Sequence, residues 1–139
     1  MQGDIMSIFF WSVSPLVLLM ASGELSKETK KEFSVISDAI TQAQSCQSLG
    51  YSVDRDGLMS WSAEAKARAV EEGMSQEDAD AMMQDGIDRK YARMEATMKK
   101  AAEMSHSYDH VQRHNSKLRK GCKKLSKHEK AGLYVIEGE

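Results

Sequence analysis

The chain begins with an uncharged run, Ile5-Met6-Ser7-Ile8-Phe9-Phe10-Trp11-Ser12-Val13-Ser14-Pro15-Leu16-Val17-Leu18-Leu19-Met20, and turns polar after Ala21-Ser22-Gly23. That length suits the apolar core of a secretory signal better than a membrane span, which needs ~20 apolar residues. Ala21-x-Gly23 puts small side chains where a signal peptidase requires them, so cleavage is expected before Glu24. The alternatives are an ordinary buried helix of a soluble fold, or retention as an anchor: Gln2-Gly3-Asp4 carries no Lys or Arg ahead of the run, whereas Lys27, Lys30 and Lys31 follow it. Under the positive-inside rule that arrangement would keep the C-terminal part in the cytoplasm. The pattern thus divides the chain into a signal peptide or membrane anchor over 1–23 and a single helical domain over 24–139 with a basic C-terminal segment.

Beyond this run, apolar positions recur at three- and four-residue steps, the period of a helix with one buried face. Phe33, Ile36, Ile40, Ala43, Cys46 and Leu49 predict a first helix that starts near Ser26 or Thr29, where Thr29-Lys30-Lys31-Glu32 has capping-box form, and that stops at Gly50. Tyr51 to Gly57 reads as a loop. Leu58, Trp61, Ala65 and Ala69 predict a second helix over about Leu58 to Glu72, ended by Gly73. Ser75 followed by Glu77 and Asp78 is an N-cap with acids in the first turn, where the helix dipole favours them. A long third helix is expected from Gln76 to His114 or beyond. It carries one stripe of Met83, Ile87, Tyr91, Met94, Met98 and Ala101 and a second, rotated stripe of Met104, Tyr108, Val111 and Leu118. Leu133-Tyr134-Val135-Ile136 is an apolar patch expected to dock on the body or on a partner. The predicted fold is all-α, a small three-helix bundle with a long third helix, preceded by the N-terminal apolar segment.

Composition supports the helical reading. The one proline, Pro15, lies inside the apolar run, β-branched residues are few, and Ala, Glu, Lys, Met and Gln abound. Aromatic side chains are scarce, so the core is shallow and a domain of this size gains from a covalent staple. Cys46 and Cys122 match neither a zinc motif nor a C-x-x-C redox pair. In an exported protein they are expected to pair with each other, closing a loop worth about 4 kcal/mol in the chain-entropy model. The disulfide and the export signal therefore stand together.

Candidate chemistry is thin. His106, His110 and His114 repeat every four residues, a spacing that lets neighbouring imidazoles share Zn²⁺, Cu²⁺ or Ni²⁺, with Asp109 and His128 as further donors. Against the Met104-Tyr108-Val111-Leu118 stripe these histidines are expected to point to solvent. Ten methionines suggest Cu(I), but Met83, Met94 and Met98 sit on the predicted core stripe and read as packing. Acidic residues concentrate between Asp54 and Asp88 and basic ones between Arg113 and Lys130. Lys117, Arg119, Lys120, Lys123, Lys124 and Lys127 could grip an anionic surface, or could lie along the acidic helices. With a net charge of -2, and with neither aromatics in the basic block nor a recognised motif around it, nucleic acid is an unlikely partner.

No Gly-x-Ser-x-Gly turn, no Gly-rich loop after a strand and no acid/base couple in a cleft is present in the sequence, so neither catalysis nor a bound cofactor is expected. The sequence is read as that of an exported, periplasmic or secreted, small helical protein that acts by binding. A protein partner or an anionic membrane surface fits that reading; a membrane-anchored helical oligomer and a metal-binding periplasmic protein are the alternatives.

Overall fold

The computed structural model describes residues 25–103 and 108–138. The apolar run at 5–20 and the expected cleavage site before Glu24 lie outside the described residues, as does His106. The fold is all-α, with α1 (Lys27–Ser48), α2 (Arg55–Glu71), α3 (Gln76–Glu103) and α4 (Tyr108–Lys127). A short 3-10 turn (Ala131–Leu133) and a pair of two-residue strands, β1 (Ser52–Val53) and β2 (Val135–Ile136), complete it. Among the described residues no helix is long and apolar enough to cross a membrane.

Local sequence signals explain most boundaries. Ser26, not Thr29, caps α1, its hydroxyl accepting from the Thr29 amide at 3.2 Å. Thr29 is instead buried, and Glu32 faces the core edge rather than reaching back to the cap. Asp54 caps α2 by accepting from the Gly57 amide at 2.9 Å, which starts that helix three residues earlier than the apolar spacing implied. Ser75 caps α3, accepting from the Asp78 amide at 3.0 Å. Gly50 and Gly73 adopt φ of 95° and 109° at the ends of α1 and α2, the left-handed region in which an L side chain is strained.

The expected long third helix is two helices. Carried on as one helix at 1.5 Å per residue, the chain would place Cys122 about 60 Å beyond Met83. In the structure α4 instead returns along α3 and α1, and Cys46 and Cys122 are joined in a disulfide with Cα atoms 5.6 Å apart. The rotation between the two apolar stripes was the sequence trace of this reversal. No glycine or proline at 104–107 marks it.

α1 is the central element and packs on each of the other three helices. That is why more than one of its faces is buried: Phe33, Ile36, Ala39, Ala43 and Cys46, but also Thr29, Ser37 and Thr41. Among the described residues Trp61 is the largest fully buried side chain, and its ring stacks on Tyr134 with centroids 5.6 Å apart. The apolar tail therefore docks on the body. β2 pairs antiparallel with β1 in the register Ser52–Ile136 and Val53–Val135, within what the sequence suggested was a loop. Gly121 lies inside α4. Its missing side chain admits the Gln42 carboxamide of α1 where any Cβ would collide.

The α3 stripe is buried only at its start. Met83 is buried and Met94 half-buried, but Tyr91 and Met98 are exposed, so not every methionine on the stripe serves the core as expected. On α4 the buried residues are Cys122 and Leu125, whereas Val111 is exposed. Met104 and the side chain of Tyr108 lie outside the described residues.

Glu72, at the end of α2, ties down the start of α1. It accepts from the Thr29 hydroxyl and, at 2.7 Å, from the Ser26 amide. The Thr29 hydroxyl, then the Ser26 amide, hold its carboxyl below the ordinary range. A depressed carboxylate contributes stability above its unfolded pKa and loses it as pH falls through the folded one. The urea midpoint of the wild type is therefore expected to decline as pH drops from about 5 toward 3. Glu72→Gln should flatten part of that decline; a variant with the full wild-type pH dependence would rule the tether out. Asp80, lowered mainly by Lys66 across the α2–α3 contact, accounts for a further part.

Candidate functional site

α4 carries the basic block on a strongly two-sided helix. At 100° per residue, Arg113, Lys117, Lys120, Lys124 and Lys127 fall within an arc of about 80°, opposite Leu118, Cys122 and Leu125. The apolar side is held to α1 by the disulfide and by burial of Cys122 and Leu125, so the basic side faces outward. Each of the five cations is exposed, and the row runs about 21 Å along the helix axis. Among the described residues none of them pairs with a carboxylate; Lys66–Asp80, Arg68–Glu32, Arg89–Asp85, Lys90–Asp38 and Lys130–Glu32 are the ion pairs formed. The acidic residues of α2 and α3 do not compensate the block.

The remaining cations of the block sort differently. Arg119 and Lys123 line a surface hollow with Ser48 and Leu49, at the C-terminal end of α1, where the helix dipole favours positive charge. Lys117, at the edge of the outward row, also borders a cleft between α1, α3 and α4.

Of the histidine row, His106 and the side chain of His110 lie outside the described residues. His114 is half-buried and lines the same cleft, contrary to the solvent position expected for it; it shares a face with Leu118, four residues on. His128 is occupied: its Nδ1 accepts from the amides of Lys130 at 3.1 Å and Ala131 at 3.2 Å. Among the described residues no three His, Cys, Asp or Glu side chains come together as metal ligands do.

The sequence did not point to the cleft itself. Asp38, Thr41 and Gln42 reach it from α1, Lys90, Arg93, Met94 and Thr97 from α3, and His114, Lys117 and Leu118 from α4, around about 260 Å³. Lys90 is engaged by Asp38 at 2.6 Å and by the Ser34 carbonyl at 3.0 Å. Arg93 and Lys117 form no ion pair among the described residues. Thr41 and Gln42 lie off the apolar stripe of α1, where polar residues are ordinary, so this third packed face was unmarked in the sequence. Comparison with known protein families, with characterised proteins and with solved structures returned no match.

Proposed function

We propose that this protein is a disulfide-closed binding module of an oxidising compartment, and that it engages an anionic membrane surface through the outer face of α4. The observation that carries this reading is the row Arg113, Lys117, Lys120, Lys124 and Lys127, turned to solvent without carboxylate partners among the described residues. A solvated charge face on a helix is usually of mixed sign; a row of one sign some 21 Å long is matched by a surface of the opposite sign. Each Lys or Arg near an anionic bilayer contributes about 1 kcal/mol, so the row supplies about 5 kcal/mol at low salt. The buried disulfide supports the compartment, because reducing conditions would open it.

Sedimentation with vesicles of phosphatidylcholine alone and with added phosphatidylglycerol tests the reading. Binding is expected only to the anionic vesicles and should weaken steeply between 0.05 and 0.5 M salt. Lys120→Glu, Lys124→Glu and Lys127→Glu together should reduce it by about 100-fold or more while leaving the melting temperature nearly unchanged, since all three side chains are exposed. Equal binding to neutral and anionic vesicles would refute the proposal. The N-terminal residue of the mature protein, Glu24 or an intact start, tests the compartment separately.

A further inference from the structure

The inner faces of α3 and α4 run past the helices that cover them. α2 lies antiparallel to α3 with Lys66 beside Asp80, so at equal rise its first residue, Arg55, reaches no farther than Tyr91. From there outward Tyr91 is 40%, Met98 53% and Val111 43% exposed, although each continues a stripe that is buried nearer the body. The stripes keep their spacing where they lose their cover. Ile87, Tyr91, Met94, Met98 and Ala101 on α3 follow alternating steps of four and three residues, and so do Val111, Asn115, Leu118, Cys122 and Leu125 on α4. This is the a/d pattern by which helices of a bundle pack side by side.

Two features select a second copy of this chain as the missing cover. Asn115, half-buried, takes an a position in the α4 stripe, where a single Asn specifies register and oligomer state in coiled coils. The charges flanking the exposed face are also complementary to themselves. Thr97 and His114 line the same two hollows and so lie at one level of the α3–α4 hairpin. Glu95 and Lys99 stand two residues either side of Thr97, and Asp109 and Arg119 five either side of His114. A two-fold axis across the hairpin at that level sets α3 and α4 each antiparallel to its own copy. It brings Glu95 of one copy to Lys99 of the other and Asp109 to Arg119, each pair twice, with both Asn115 side chains within about one residue of the axis. All four charged residues are exposed, and none of them forms an ion pair among the described residues. A bilayer fits this end of the hairpin less well, because Glu103 and Asp109 stand there among Lys99, Lys100 and Arg113.

We infer that two copies associate end to end through the distal α3–α4 hairpins, which form an antiparallel four-helix contact about a two-fold axis at the level of Thr97 and His114. The contact runs about 15 Å along the helices and about 20 Å across two of them, the small size of a weak, reversible interface. The basic row of α4 lies on the opposite side of that helix and stays free, so the inference does not rest on the membrane reading.

Sedimentation velocity of the mature protein, whichever N-terminus it carries, is expected to show a monomer–dimer equilibrium with a Kd of about 10–1,000 µM. Met98→Glu should abolish the dimer up to about 1 mM while leaving the melting temperature of the dilute protein unchanged, since the side chain is exposed. Lys99→Glu should weaken association about fivefold or more by setting like charges opposite each other. Adding Glu95→Lys to Lys99→Glu should restore it, because the exchanged pair is again complementary across the axis; a folding defect would not be rescued in this way. Spin labels on Met98→Cys should lie within about 20 Å of each other in the dimer. Labels on Glu77→Cys, twenty residues from the axis on either side, should be about 60 Å apart. A chain that stays monomeric at about 1 mM, association unchanged in Met98→Glu, no rescue by the charge exchange, or short distances at both label positions overturns the inference.

Discussion

Replacing Cys46 and Cys122 together with Ala is expected to lower stability by about 2–5 kcal/mol and the melting temperature by about 10–25 °C. The bond closes a loop of sequence separation 76, which the chain-entropy model values at about 4.5 kcal/mol. Both sulfurs are fully buried, so their loss also loosens the contact between α1 and α4. The effect should be unevenly distributed. α1, α2 and α3 share Phe33, Ile36, Trp61, Ala65 and Met83, a part of the core to which α4 contributes no residue, and should keep their helical signal. Among its described side chains α4 buries only Cys122 and Leu125, so its amides should lose protection first in hydrogen exchange. Reductant should reproduce the shift in the wild type and do nothing to the double variant. A change below about 1 kcal/mol, or uniform loss of protection across the four helices, would contradict this account.

Trp61→Ala is the second large effect, with an expected loss of about 3–5 kcal/mol by urea unfolding. The ring is 2% exposed, stacks on Tyr134 and lies 6.4 Å from His128. Its Nε1 donates to Glu32 Oε1 at 3.1 Å, and Glu32 also holds Arg68 and, at 3.3 Å, Lys130. Trp61 thus joins α1, α2 and the C-terminal tail at one point. Removing the ring leaves a cavity under the tail, so β2 should detach from β1 and expose Val135. Trp61→Phe keeps most of the volume and loses one hydrogen bond, while Glu32 retains its two cations. It should cost about 1 kcal/mol. Equal losses in the two variants would mean that the hydrogen bond, not the packing, carries the site.

The residues that build the fold were legible to different degrees. Phe33, Ile36, Ala43, Cys46, Leu58, Trp61, Ala65, Ala69 and Met83 are buried as their spacing predicted, because a helix with one packed face has one period. Gly50, Gly73 and Ser75 marked ends through their own backbone and side-chain chemistry. Thr41 was not legible as buried, since its burial follows from α1 being enclosed on several faces. Tyr91 and Met98 failed in the opposite sense: they keep the period of α3, but the part of that helix beyond Lys90 has too few neighbours to cover them. The basic block was visible as composition. Which of its members face outward and which enter a cleft depended on the turn that α4 takes about the disulfide.

By itself, then, the sequence determined the helical class, most helix ends, the two cysteines available to pair and the clustering of positive charge near the C-terminus. These are local properties, set by side-chain period, capping groups and backbone freedom within a few residues. Only the tertiary structure decided that the third helical stretch is two helices, that the tail pairs with the chain after α1, and that Thr41, Arg93 and Lys117 meet around one cavity. Each of these brings together residues far apart in the chain. The free energy that holds them comes from burial and a cross-link shared between segments, which no window of the sequence contains.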